Sequence, residues 1–245
     1  MYYFVSDIHL GSGTAEESRR RERLFCDWLE RVSGDAEAVF IVGDLFDFWW
    51  EYRRVVPKGF VRTLGKLAEL TDRGVEVHFF TGNHDMWQHD YLTRECGVEV
   101  HFDREVFTLS GKRVSIVHGD AICAQSIGGV TRIMDSLFRS RFSRWSFQHL
   151  VHPDAALRFG QRWSQGSRKS RLVVNEFAGT DDPMVRWVMS LPTNDTDYYI
   201  FGHNHCAEDL YLPDGRRALF LGQWFSDPVY AALSPQGDLT LKPVE

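Results

Sequence analysis

Apolar residues along the chain fall into short runs that end in glycine or polar side chains: YYFVSD (2–7), AVFIVGD (38–44), VEVHFFTG (75–82), RVSIVHGD (113–120) and YYIFGH (198–203). Runs of this length, rich in Val, Ile, Phe and Tyr, predict strands. Helical patterns at about 15–32 and 59–73 separate the first three, so the chain opens β-α-β-α-β with parallel strands. Near the C-terminus RRALFLGQW (216–224), PVYAALS (228–234) and DLTLKPV (238–244) alternate with the turn dipeptides Asp214-Gly215 and Gln236-Gly237. That is the grammar of a meander or of hairpins. The fold class expected is α/β, with two mixed β-sheets in a sandwich flanked by helices. No internal repeat and no low-complexity tract is read.

The stretch 121–190 breaks the strand rhythm for far longer than an ordinary connection and is mostly helical in pattern. Between 121 and 171 it carries nine Arg or Lys against two acids, in a chain of net charge −6, which leaves −13 for the remainder. Ile127, Val130, Ile133, Leu137, Phe138, Phe142, Trp145 and Phe147 are interleaved with those charges. The expectation is an inserted helical cap, both cationic and apolar, within one domain spanning 1–245.

Composition narrows the class. At 43% hydrophobic and 25% charged, the 245 residues can bury a sizeable core, and disorder is not indicated. The acidic balance argues against a nucleic-acid partner held by overall electrostatics. Cys26, Cys96, Cys123 and Cys206 are scattered, with no paired zinc-binding spacing. The N-terminal MYYFVSDIHLG lacks the basic and apolar regions of a signal peptide, and no apolar run approaches the length of a membrane span. A cytoplasmic protein is expected, with any membrane contact peripheral.

The chemistry sits where the strands end. In order, the ends give Asp7-Ile8-His9, Gly43-Asp44, Gly82-Asn83-His84-Asp85, His118-Gly119-Asp120 and Gly202-His203-Asn204-His205. Parallel strands aligned side by side would bring these ends together along one edge. Asp-x-His and His-x-His spacing puts both side chains on one side of an extended segment, so each pair can reach one ion. The donor set of Asp7, His9, Asp44, Asn83, His118, His203 and His205 mixes nitrogen and oxygen and contains no cysteine. Such a set suits Mn²⁺, Fe or Zn²⁺ better than the all-oxygen preference of Ca²⁺ and Mg²⁺. Seven ligands are too many for one tetrahedral ion and fit two ions about 3.5–4 Å apart that share a carboxylate. Asp44, mid-series at the end of the most apolar strand, is the natural bridge.

The series D-x-H, G-D, G-N-H-D, H-G-D and G-H-x-H, running in order from residue 7 to 205, resembles the calcineurin-like metallophosphoesterases. The resemblance implies an α/β/β/α sandwich with a dimetal site at its edge. It implies one ion held by Asp7, His9, Asp44 and His205 and another held by Asp44, Asn83, His118 and His203, with Mn²⁺ the first choice. It also implies a catalytic His84, acting as an imidazolium on the phosphoryl oxygens or leaving group, with Asp85 orienting it. Asp47 reads equally as support for a ligand or as the start of a helical turn. His78, His89, His101, His149 and His152 lie outside the motifs and read as ordinary histidines.

Within that family the GDLF strand end, the HGD end before a long helical insertion and the late G-H-x-H resemble the UDP-2,3-diacylglucosamine pyrophosphohydrolase branch of the lipid A pathway. This implies a glycolipid-nucleotide substrate cleaved by attack on its α-phosphorus, and a protein peripheral to the cytoplasmic face of the inner membrane. The cap fits such a substrate: apolar surface for acyl chains, and Ser164, Arg168, Lys169 and Arg171 in SQGSRKSR (164–171) as candidate phosphate or sugar contacts. The alternatives are a metallophosphodiesterase for a soluble nucleotide or other small diester, and a non-catalytic scaffold, against which the complete ligand set speaks. GNHD differs from the GNRD usual in that branch, placing His84 at the Arg position.

Overall fold

The computed structural model describes residues 1–127, 129, 133, 136–138, 140–160, 177–193 and 196–244. Strand β1 (Tyr2–Val5), helix α1 (Ala15–Val32), β2 (Ala38–Val42), α2 (Val61–Asp72) and β3 (Glu76–Phe80) form the expected opening, and β1, β2 and β3 pair in parallel. Short α3 (Tyr91–Cys96) leads to β4 (Glu99–His101), which extends the parallel set. Two strands near the C-terminus, β10 (Val229–Leu233) and β11 (Leu239–Pro243), complete a six-stranded sheet of order β11-β10-β1-β2-β3-β4. The second sheet runs β5 (Glu105–Leu109), β6 (Lys112–Val117), β7 (Tyr198–Phe201), β9 (Arg217–Leu221) and β8 (Ala207–Tyr211), with antiparallel strands only at its edges.

Alternation along the strands builds the layers. Phe4, Phe40, Val42 and Phe80 face the second sheet and meet Val114, Ile116, Ile200, Leu219 and Leu221 between the sheets. The intervening residues Tyr3, Val5, Val39, Ile41, Val77 and Phe79 face outward and are covered by Phe25, Trp28, Leu67 and Leu70 of α1 and α2. That two-sided cover explains why β2 is apolar at all five positions, as central strands of parallel sheets are. Helix α1 starts on a capping box in which Thr14 accepts from the Glu17 amide and Glu17 reaches back to the Thr14 amide.

The 121–190 stretch is mostly helical where it is described. It comprises α4 (Asp120–Ile127), α5 (Arg141–Leu150), α6 (153–160) and α7 (Pro183–Ser190). Met184, Val185 and Val188 of α7 pack with Tyr199, Phe201, Ala218 and Phe220 on the outer face of the second sheet, so α7 belongs to the outer helical layer. Helices α5 and α6 instead sit over the loops that follow β2 and β3. Phe147, Ala156 and Phe138 join Trp50, Tyr52 and Trp87 there. Three polar contacts tie them down: Trp87 Nε1 donates to the Phe138 carbonyl (3.0 Å), Gln148 to that of Glu51 (2.9 Å) and the Tyr52 hydroxyl to that of Val151 (3.2 Å). Ser164, Arg168, Lys169 and Arg171 lie outside the described residues. Among those described, no helix is long and apolar enough to cross a membrane.

Of the two readings of the C-terminal strands, hairpins hold and a single meander does not, and two further expectations need correction. Strands β8 and β9 form a hairpin in the second sheet and β10 and β11 one in the first, because the inward faces of β10 and β9 lie on opposite sides of the same core. Strands β4, β5 and β8 were not anticipated; they are edge strands, short or largely exposed, and carry too weak an apolar face to be read from pattern. A short repeat does exist: GVEVHF occurs at 74–79 and again at 97–102, and its copies become the neighbouring parallel strands β3 and β4.

Candidate metal centre

The five strand ends do meet, although not side by side in one sheet. Strands β1, β2 and β3 deliver Asp7, His9, Asp44 and Asn83 from the first sheet; β6 and β7 deliver His118, His203 and His205 from the second. The two groups are stitched across the sandwich. His118 Nδ1 donates to the Val42 carbonyl (2.8 Å), Gly202 N–H to that of His118 (3.1 Å), and His203 N–H to Asp7 Oδ2 (2.9 Å). The motif glycines permit this approach. A Cβ on Gly82 would lie 2.2 Å from Asp44 Oδ1, and one on Gly202 would lie 2.0 Å from Ser6 Oγ.

The backbone pays a conformational cost at the same place. Of the described non-glycine residues, seven have positive φ, and five of them are Asp7 (54°), His9 (48°), Asp44 (53°), His203 (69°) and His205 (59°). Left-handed backbone outside glycine is uncommon and gathers where surrounding structure enforces it for function.

Each carboxylate divides its labour. Asp7 Oδ2 accepts from Ser6 Oγ (2.6 Å) and from the His203 amide, while Oδ1 faces His205 Nε2 (3.2 Å) and His9 Nε2 (3.6 Å). Asp44 Oδ1 accepts from the His84 amide (2.9 Å), leaving Oδ2 between His118 Nε2 (3.4 Å) and His9 Nε2 (3.7 Å). An oxygen placed between histidines from both sheets is where a shared ligand of two ions has to be. Because His118 Nδ1 is committed to a carbonyl, Nε2 is the nitrogen left to a metal once its proton is displaced. Asp44 Oδ2, Asn83 Oδ1 and His118 Nε2 are buried without a hydrogen-bond partner. Buried polar atoms are normally satisfied, so unsatisfied lone pairs from several strands call for cations. The set therefore fits the divalent metals that the motifs imply.

The electrostatics agree. Burial would raise the Asp7 carboxyl, but His205 and His9 beside it hold it well below the usual carboxylate range. Burial likewise opposes ionisation of Asp44, and His118 and His84 overcome it, keeping Asp44 anionic. Burial would lower His9, yet its contacts with Asp47 and Asp7 push it up to about 9. The same balance, with Asp44 the chief partner, takes His118 to about 10.

His84 lies against the His9 ring, with centroids 4.8 Å apart, and its Nδ1 meets the Asp47 carbonyl at 2.8 Å. Burial lowers its pKa below the ordinary histidine value, so it is not a standing imidazolium. Nor does Asp85 orient it. Asp85 accepts backbone N–H groups of Gly82 (2.9 Å), Phe46 (3.2 Å) and Asp44 (3.3 Å), holding the two ligand loops together, and burial pushes its own carboxyl up to about 7. Asp47 starts no helix; its carboxylate lies 3.6 Å from His9 Nδ1 and its carbonyl holds His84. Two neighbours escaped the sequence reading. Arg21 of α1 donates to the His9 carbonyl (2.8 Å), and the Phe225 ring stacks on that of His9 (5.3 Å) with the Arg21 guanidinium 4.5 Å from its centre. Neither belongs to a motif, so no local signal marked them.

Two openings adjoin the centre. One is apolar and narrow, about 40 Å³, bounded by Trp50, Trp87, Phe138, Phe147 and Phe159, and it ends at Asn83 and His84. The other is an open groove of about 690 Å³ on the His118 side, lined by both polar and apolar side chains, among them His101, Arg104, Asp120, Gln125, Phe102 and Trp187.

Comparison with known proteins follows this geometry. The family model for calcineurin-like phosphoesterases matches residues 2–207. A Porphyromonas gingivalis protein named UDP-2,3-diacylglucosamine hydrolase is 40% identical over 94% of this chain and 92% of its own length. Proteins of the same name from Actinobacillus succinogenes (32% identical, 96% of each chain) and Aeromonas salmonicida (28% identical, 95% and 89%) also match. A match of that extent, on a chain whose strand ends gather this donor set, places the protein in the calcineurin-like phosphoesterase family as a metal-dependent phosphoesterase.

Proposed function

We propose that the protein hydrolyses the pyrophosphate of UDP-2,3-diacylglucosamine, giving UMP and 2,3-diacylglucosamine 1-phosphate. The observation that carries this reading is the apolar pocket that ends at Asn83 and His84, because a soluble nucleotide diester has no use for a wall of Trp50, Trp87, Phe138 and Phe147 beside the reacting phosphorus. The names of the full-length relatives point to the same substrate. The acyl chains take the apolar side. At about 40 Å³ the pocket is too tight for them, so α5 and α6 have to move away from the Trp50 and Trp87 loops as substrate enters. The uridine half takes the open groove past His118, where Arg104, Asp120 and Gln125 offer polar contacts and Trp187 and Phe102 offer ring surface.

Asp7, His9, Asp44 and His205 would hold one divalent ion, and Asp44, Asn83, His118 and His203 the other. Mn²⁺ is the first candidate, ahead of Fe and Zn²⁺, for a nitrogen and oxygen set without sulfur. When bound, the pair supplies Lewis acidity at the α-phosphate and an activated water at neutral pH. The chain's own groups do the rest. Asp47 and Arg21 fix the His9 loop. His84, neutral in the free protein, gains a proton as the anionic pyrophosphate arrives beside it, then donates from Nε2 to a phosphoryl or leaving oxygen while Nδ1 stays on the Asp47 carbonyl. Ser164, Arg168, Lys169 and Arg171 remain sequence-based candidates for gripping phosphate or sugar. Peripheral docking on the inner membrane is supported by α5, which buries Phe147 and exposes Phe142 (72%), Trp145 (53%) and Leu150 (76%).

The test is to incubate the protein with UDP-2,3-diacylglucosamine and Mn²⁺ and follow ³¹P NMR, with a chelator and a soluble diester run beside it. Chelator-sensitive release of UMP and a lipid-sugar phosphate is expected. Turnover of the soluble diester alone would discard the glycolipid substrate and keep the phosphoesterase.

A further inference from the structure

The repeated hexapeptide places a second E-x-H pair beside the first. In β3 it contributes Glu76 and His78; in β4, Glu99 and His101. Alternate residues of a strand share a face, and the parallel register sets His78 opposite Glu99 and Phe80 opposite His101, so all four side chains rise from the same face of the sheet edge. His78 Nδ1 and His101 Nε2 are 3.1 Å apart. Glu99 places one oxygen 3.4 Å from His78 Nδ1 and the other 3.9 Å from His101 Nε2.

We propose that His78, His101 and Glu99 form a third cation site, separate from the strand-end centre, which takes Zn²⁺ and clamps the edge strand β4 onto β3. Ligands about 2.0–2.1 Å from a tetrahedral zinc lie roughly 3.3 Å from one another, and the three separations bracket that value. Glu76 Oε2 lies 3.6 Å from His78 Nε2, the far nitrogen of that ring. A carboxylate behind a ligating imidazole is the arrangement that fixes its tautomer and raises its basicity. Both rings are already held in place: His78 stacks on Phe40 (4.7 Å, 9°) and His101 on Phe80 (4.6 Å, 20°). His78 is buried, His101 reaches the open groove beside His118, and Glu76 and Glu99 reach solvent, which leaves an open coordination position and a route of entry. A direct hydrogen bond between the two imidazoles also accounts for the 3.1 Å contact, but it gives no role to two glutamates converging on the same rings. Two nitrogens and a carboxylate suit zinc ahead of Mg²⁺ or Ca²⁺. Four residues of chain lie between His78 and Asn83, and His101, opposite Phe80, is three positions short of Asn83, on the order of 10 Å along the chain, so the two centres do not share an ion.

Zinc content per chain decides the matter. The full-length protein is stripped with a chelator, reloaded with Zn²⁺, passed through a desalting column and measured by elemental analysis. The wild type is expected to retain one zinc more than the Glu99→Gln/His101→Gln double variant, and hydrolysis supported by Mn²⁺ is expected to be the same in the wild type and in Glu99→Gln, because His101, unlike Glu99, also lines the groove beside His118. Zinc should also raise the melting temperature of an Asp44→Asn/His118→Ala protein, in which the strand-end ligands are depleted, and the added Glu99→Gln should abolish that rise. If the double variant folds poorly, Glu99→Gln alone, a change at an exposed side chain, should weaken the last zinc at least tenfold. Equal zinc content in wild type and double variant, or an unchanged last affinity in Glu99→Gln, would overturn the site and leave a His–His hydrogen bond.

Discussion

His84 is the residue whose role the structure changes most. The sequence suggests an imidazolium steadied by Asp85, whereas burial keeps the ring neutral and the Asp47 carbonyl holds Nδ1. A group that works only once substrate has raised its pKa is one whose loss should slow turnover without emptying the centre. His84→Ala is expected to lower kcat by about 10²–10⁴-fold with metal content per chain unchanged, read by steady-state kinetics and elemental analysis together. Metal lost along with activity would make His84 a ligand, as its closeness to His9 and Asp44 allows. The neighbouring histidines behave in the opposite sense. With pKa values raised to about 9 and about 10, His9 and His118 carry protons at neutral pH in the metal-free protein, and a metal can bind their Nε2 only after displacing them. Adding Mn²⁺ at pH 7 should therefore release about two protons per chain in a pH-stat, falling toward none as the starting pH rises past 10.

At the level of elements, the site depends on loops packed too tightly for ordinary side chains. Gly82→Ala would put a methyl onto Asp44 Oδ1, and since that oxygen already holds the His84 amide, the carboxylate has to swing away. The variant is expected to stay folded and to bind Mn²⁺ at least tenfold more weakly, measured by calorimetry. Glu51 serves a different element: its carboxylate accepts the amides of His89, Asp90 and Tyr91, each at 2.8 Å, where α3 begins. Glu51→Ala leaves three N–H groups without an acceptor and should cost roughly 3 kcal/mol, visible as a lower urea midpoint. Helix α5 shows the same economy on its two sides, with Phe147 against Trp50 (4.8 Å) and Trp87 (5.4 Å), and Trp145 facing away.

For the molecule as a whole, the distribution of charge and apolar surface bears on where it works. A basic, apolar stretch at 121–171 on an otherwise acidic chain would suit the proposed docking to an anionic lipid surface. Trp145→Asp with Leu150→Asp should reduce co-sedimentation with anionic phospholipid vesicles several-fold while leaving hydrolysis of detergent-dispersed substrate near the wild-type rate. Unchanged sedimentation would remove α5 from the docking face.

Much of this protein is legible in one dimension. The strand–helix opening, the central β2 and the candidate ligands Asp7, His9, Asp44, Asn83, His118, His203 and His205 all follow from local pattern, because apolar periodicity and short motifs are properties of neighbouring residues. The contribution of two sheets to one centre is not such a property. It depends on which side of the core each strand finds, and that is decided when Phe4, Phe40 and Phe80 pack against Ile116, Ile200 and Leu219. The same holds for Asp85, inside a motif, and Asp47, just beyond one, which serve atoms about 40 residues away in sequence. It holds for Phe225 on His9 and for the paired E-x-H strands, whose histidines come together only through the register of β3 on β4. Sequence determined which side chains could do chemistry; tertiary packing, by fixing register and the side of the sheet, decided which of them meet.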